Sequence, residues 1–320
     1  MKSLFLICTA FFCSIHFSNA QWNNHLLPGV PVQTTINVAF VCSDIPNDTT
    51  VIFTYDTSYH FYSFTPQSGF STYPEYDTIL DGIQVFDAKI KNGVLWCTTT
   101  FGLKKWEHGT WTHYPYPDKY QSQFSGLSID KEGRVWFSGG RLGVGITVFD
   151  GTDWFNIEKT LYPEFLQDVG VIDLEMDDER QLLWIGTNCF TQQSGIYTYD
   201  LKMDRINYVQ NGSPKYGCIH AVQPSGNKVF VGTSNFSSIR IMENGGYTQN
   251  LDAPKVTWVS DMLADPYDSN QVWVLNEFGV IQFKDTNTYH YFDTTETSMK
   301  GIMNRMSIQK LGADSAILWI

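Results

Sequence analysis

Apolar residues along this chain gather in short runs, and one pairing returns at a near-constant interval: an apolar residue followed by an aromatic one. It occurs at Leu95-Trp96, Val135-Trp136, Leu183-Trp184, Val229-Phe230, Val272-Trp273 and Leu318-Trp319, with a degenerate first copy at Val51-Ile52-Phe53. The copies lie 40 to 48 residues apart. Between them the pattern alternates with a period of two, broken by Gly, Asn, Asp and Gln, which predicts several short strands and hairpins per repeat. In the repeat around Trp184 four strands are predicted. An inner strand is marked by Val171, Leu174 and Asp177; Leu183–Thr187, Gly195–Asp200 and Arg205–Tyr208 follow it. A period of this length with four strands per copy predicts an all-β fold, a β-propeller of four-stranded antiparallel blades. Seven blades are expected with the last one incomplete; the alternative is six.

An apolar–x–x–apolar–x–x–Asp spacing at Phe124/Leu127/Asp130, Val171/Leu174/Asp177 and Val259/Met262/Asp265 places an Asp at the end of each inner strand. There its carboxylate can accept hydrogen bonds from turn amides. The anchor Trp or Phe is expected to point at the neighbouring blade and fill the wedge between two twisted sheets. These rings are therefore read as core, not as ligand platforms.

Asp130…Gly133-Arg134-Val135-Trp136 and Leu183-Trp184-Ile185-Gly186-Thr187…Gly195-Ile196-Tyr197-Thr198-Tyr199-Asp200 resemble the two-component-regulator propeller repeat, common in exported proteins of Bacteroidetes-type bacteria. The resemblance covers about residues 80 to 292. It implies a propeller module of the kind that serves as the sensor part of hybrid histidine kinases and meets glycans. This chain carries neither a kinase part nor a membrane span. Ser128–Trp136 also resembles the Asp-box turn of sialidase-like propellers, which is structural; Arg134 and Arg180 fall in inner hairpin turns, not at a tunnel mouth.

The N-terminus changes the setting. Lys2, the short apolar run Leu4–Ile15 and the small residues up to Ala20 have the form of an export leader cleaved at Ala20-Gln21. Residues 1–20 are thus read as a signal peptide and 21–320 as one propeller domain. The product is expected to be secreted, periplasmic or at the cell surface, without a transmembrane span, and monomeric. The chain stops at Ile317-Leu318-Trp319-Ile320, inside the second strand of the last repeat. We therefore expect a truncated C-terminal end, with residues 22 to 33 giving one closing strand and at least one more strand missing. The net charge is −12, which argues against nucleic acid and anionic membrane as partners.

Candidate chemistry is sparse. Of the cysteines beyond the leader, Cys189 and Cys218 flank strands that open onto one face and are a possible disulfide; Cys42 and Cys97 are expected as buried thiols. The acidic group Asp173, Glu175, Asp177, Asp178 and Glu179 is read as a solvated strand end and turn. No histidine spacing suits zinc, and no phosphate loop, dinucleotide fingerprint or nucleophile elbow occurs. No cofactor and no metal are expected. The loops between second and third strands bring Phe101, Arg141, Asn188, Phe190, Asn235, Phe236, Glu277 and Phe278 to one side, where aromatic rings and amides suit a glycan or a protein ligand. The chain is accordingly read as a non-catalytic binding module, not an enzyme. Two alternatives stand beside it: a carbohydrate-active lyase or hydrolase, for which converging carboxylates at the channel mouth would speak, and the sensor part of a signalling system.

Overall fold

A computed structural model of the chain describes residues 11–16, 19–24, 37–44, 49–55, 59–73, 83–117, 126–138, 145–157, 170–188, 195–209, 218–233, 238–243, 246–252, 258–276, 278–284, 288–293, 305–310 and 316–319. They form seven four-stranded antiparallel sheets and no helix. Six sheets are each made of four consecutive strands, which makes six self-contained blades, the count of the alternative expectation. The seventh sheet is composite. Ser307–Lys310 and Ala316–Trp319 supply two strands, and Phe11–His16 and Asn19–Asn24 supply the other two, with Phe12 opposite Trp319.

In the full chain the closing strand is Phe11–His16, which leaves with the leader if residues 1–20 are cleaved. The last repeat does hold only two strands, but two strands from the other end of the chain cover its edge, which would otherwise be open to pairing. Phe11–His16 falls within the residues read as a leader, and Asn19–Asn24 straddles its expected cleavage point.

Among the described residues burial is highest in the central strands of a blade and lowest in the outer one. Every residue of Val135–Ser138 and Val272–Asn276 is buried, because the second strand is covered on both faces; this is why the anchors read as continuous apolar runs. The outer strand Thr110–Pro115 is mostly exposed. Each anchor ring leans on the next blade. Trp96 packs with Leu127 and Ile129, Trp136 with Val171 and Leu174, Trp184 with Ile219 and Val222, Phe230 with Val259 and Met262, and Trp273 with Met306 and Leu318. Trp319 meets Phe64 of the first blade at 4.9 Å between centroids, which closes the circle. Each such ring contributes about 1.5–3 kcal/mol of burial.

The inner-strand Asp does more than hold its turn. Asp130 accepts the Arg134 amide at 2.9 Å and also the Trp136 indole N–H at 2.9 Å. Asp265 takes the Tyr267 amide at 2.9 Å and the Trp273 indole at 3.2 Å. In the composite sheet Gln309 plays this part for Trp319, at 3.0 Å. One carboxylate therefore ties the inner hairpin to the wedge residue. Gly133, at φ 84°, completes the Asp130 turn.

A channel lined by charge

The inner strands surround a cavity of about 460 Å³ to which all seven sheets contribute lining residues. Its wall runs from a layer holding Asp87, Asp173, Asp261 and Arg305 to the turns after the inner strands, at Asp178, Asp265 and Pro266. The alternation of the strands produces this wall. Along Val85–Lys91, Ala88 and Ile90 are buried while Lys89 and Lys91 are half-buried and line the cavity; along Val171–Asp177, Leu174 is buried while Asp173 and Glu175 do so. A register shift recurs near the start of the inner strands, at Val85/Asp87, Val171/Asp173 and Val259/Asp261. Each shift sets an Asp at the same level of the channel wall.

These carboxylates first serve the ring. Asp173 accepts the Val222 amide of the next inner strand at 2.8 Å, and Asp261 accepts the Met306 amide at 2.8 Å. Ser128 accepts the Met176 amide in the same manner at 2.9 Å. Asp87 accepts its neighbour's amide, Ala88, at 2.8 Å. Its other oxygen lies 3.5 Å from the Arg305 guanidinium, 218 residues away in sequence.

The cations are paired across the channel. Lys89 bonds Glu175, and Lys91 bonds Asp178 while donating to the Ile129 carbonyl at 2.8 Å. Burial raises the Asp173, Glu175 and Asp261 carboxyls above the ordinary carboxylate range, against the pull of Lys89 and Arg305; Asp261 reaches about 6. Burial works against the Lys89 ammonium, but Glu175 and Asp173 outweigh it and leave its pKa raised. Arg305 is likewise held up, by Asp87 foremost.

Of the residues foreseen from sequence, three are among the described residues, and none of the three lines the cavity. Phe101 is 60% exposed and Phe278 42% exposed, both in loops between second and third strands; neither lines the cavity. Asn188 is buried, its amide N–H donating to the Gly170 carbonyl at 2.8 Å. Arg141, Phe190, Asn235, Phe236 and Glu277 are outside the described residues. Cys42 and Cys97 are free and buried. Cys218 is disulfide-bonded, and Cys189 is outside the described residues. Asp173 and Glu175 are not a solvated strand end: they face the channel, and the sequence reading passed over Arg305 entirely. Sequence reasoning also missed Trp258, 48% exposed and packed on the His220 ring at 4.7 Å.

No family model matches the chain. No characterised relative matches it by sequence either. Solved structures do resemble it. A streptogramin B lyase is similar with a TM-score of 0.64 at 12% identity, over 97% of this chain and 98% of that one. The likeness is one of fold. A glycoside hydrolase of Niastella koreensis has a TM-score of 0.60 at 13% identity, over 79% of this chain and 46% of its own. An extracellular domain described as that of a hybrid two component system from B. thetaiotaomicron has a TM-score of 0.52 at 14% identity, over 96% of this chain and 49% of its own. These structures correct one expectation. The lack of a catalytic motif was taken to mean that the chain is not an enzyme, yet the same fold carries a lyase and a glycoside hydrolase, so that argument fails. Among the described residues no helix is long and apolar enough to cross a membrane.

Proposed function

We propose that this protein is an exported propeller that binds a small saccharide in its central channel, in the manner of an extracellular sensor or capture domain. The observation that carries the reading is the cavity itself, with Asp, Glu, Lys and Arg side chains from non-adjacent blades turned toward one axis. Such a wall offers acceptors and donors in alternation, which suits a ligand rich in hydroxyls. The likeness to the two-component-regulator repeat and to an extracellular domain of Bacteroides adds support. The excess of negative charge speaks against nucleic acid.

The test is calorimetric titration with neutral disaccharides such as cellobiose, repeated on Lys89→Met with Glu175→Gln and, separately, on Phe190→Ala with Phe236→Ala. Loss of binding in the first pair alone is the expected result. Loss in the second pair alone moves the site to the loop face, and no binding at all removes the reading. Export is tested separately, by sequencing the N-terminus of the protein recovered outside the cytoplasm: Gln21 is expected, and an intact Met1 overturns the leader assignment.

A second reading is favoured by one observation: Asp173 and Asp261 converge on the same cavity, and Asp261 titrates near 6, where a general acid works. Hydrolysis of a bound glycoside would then follow. Release of reducing ends that disappears in Asp261→Asn supports it; none from a range of aryl glycosides discards it.

A further inference from the structure

The channel wall holds three cations, and each is claimed by a different carboxylate: Lys89 by Glu175, Lys91 by Asp178 and Arg305 by Asp87. Three carboxylates on the same wall are left over, and one of them, Asp265, is taken up by its own turn amides and the Trp273 indole N–H. Among the described residues Asp173 and Asp261 form no ion pair; both accept only backbone N–H groups. Asp173 lies close enough to Asp261 to push the latter's pKa upward, so the two share one field. At the turn end of the cavity the Asp178 Oδ1 atom, buried, has no hydrogen-bond partner. Two neighbouring wall carboxylates with no ion-pair partner of their own ask for a positively charged donor group. Among the described residues no three His, Cys, Asp or Glu side chains are grouped to hold a metal ion, which points to an organic cation.

We infer that the channel selects a saccharide bearing a protonated primary amine, the ammonium seated between Asp173 and Asp261. This rests on the saccharide-binding reading above and narrows it to an amino sugar. An ammonium brings three donors to carboxylates whose remaining lone pairs are unfilled. The sugar hydroxyls face Lys89, Ser128, Gln223 and Ser307 on the rest of the wall. A neutral sugar of the same shape fills the volume but leaves both charges unmatched.

The matched probes are the glucosamine disaccharide and cellobiose, which differ by amine against hydroxyl, titrated at pH 7 into the full chain. The amino disaccharide is expected to bind on the order of tenfold tighter, the ordinary worth of a charge-assisted hydrogen bond. In Asp173→Asn with Asp261→Asn the ratio of the two affinities should fall to about one. Asp173→Asn alone, which keeps the Asp261 contact to Met306, should lower the ratio part-way and covers failure of the double variant to fold. Equal binding of both sugars by the native protein overturns amine selection and leaves saccharide binding standing. A preference that persists in folded Asn variants overturns the assignment to these carboxylates, and no binding of either sugar sinks both readings.

Discussion

Arg305 stands just before the inner strand of the composite sheet and is the one cation at the Asp87–Asp173–Asp261 level among the described lining residues. Arg305→Met keeps the aliphatic stem and removes the charge, leaving three carboxylates in one layer. Breaking a buried ion pair from one side costs about 3–5 kcal/mol. Here the Arg305 side chain is 29% exposed and its contact to Asp87 is 3.5 Å, so a smaller loss, about 2 kcal/mol, is expected. For a chain of this size that corresponds to a melting point lower by about 3 °C. The loss should depend on pH. A carboxylate whose pKa is raised on folding costs stability above that pKa and stops costing it as pH falls through it. Asp261 already titrates at about 6 with Arg305 present, and removing the guanidinium raises both it and Asp173. The deficit is therefore full at pH 7.5 and shrinks toward pH 5. Melting of wild type and variant at both values, followed by circular dichroism, is the assay. An equal deficit at the two pH values, or none at either, would refute the ionic latch.

Three further outcomes follow from the packing. Trp273, fully buried between the sixth blade and the composite sheet, should cost about 3–5 kcal/mol in urea unfolding when changed to Ala, and clearly less when changed to Phe, which loses only the bond to Asp265 and part of the ring. Gly186→Ala and Gly232→Ala put a methyl 2.8 Å from Ile219 Cγ2 and 2.6 Å from Val259 Cγ1; each is expected to destabilise by about 1–3 kcal/mol in the same measurement. Cys42 and Cys97, with thiol pKa values pushed well up by burial, should resist a thiol reagent in the native protein and react once urea unfolds it.

The blades could be read from sequence because their central strands are covered on both sides. Burial on both faces forces a continuous apolar run, and the wedge between blades forces an aromatic residue at a fixed place in it, so Trp96, Trp136, Trp184 and Trp273 recur in register. Gly186 and Gly232 repeat for a related reason: the first residue of the next inner strand lies against them. Closure was harder to read. Phe11–His16 has the composition of a leader, and nothing in that stretch announces that its edge pairs with Ala316–Trp319, 300 residues away in the chain.

The channel was missed for a physical reason. Alternation along a strand separates a dry face from a wet one, but it cannot tell bulk water from a water-filled axis, so Asp173 and Glu175 looked like a solvated edge. The distinguishing signal lies in charges two repeats apart. Lys89 pairs with Glu175 at a separation of 86 residues and Lys91 with Asp178 at 87. Both pairs skip the third blade, whose inner strand is only Leu127–Ile129. Lys91 bridges that short strand by bonding its last carbonyl, and Ser128 there has no charge to offer. Placing the inner strands on a ring before seeking complementary charges would therefore have found the two lysine pairs. It would also have left Asp173 and Asp261 without cations. The surplus that points to a ligand is thus a property of the ring, and it shows only once the inner strands are set around one axis.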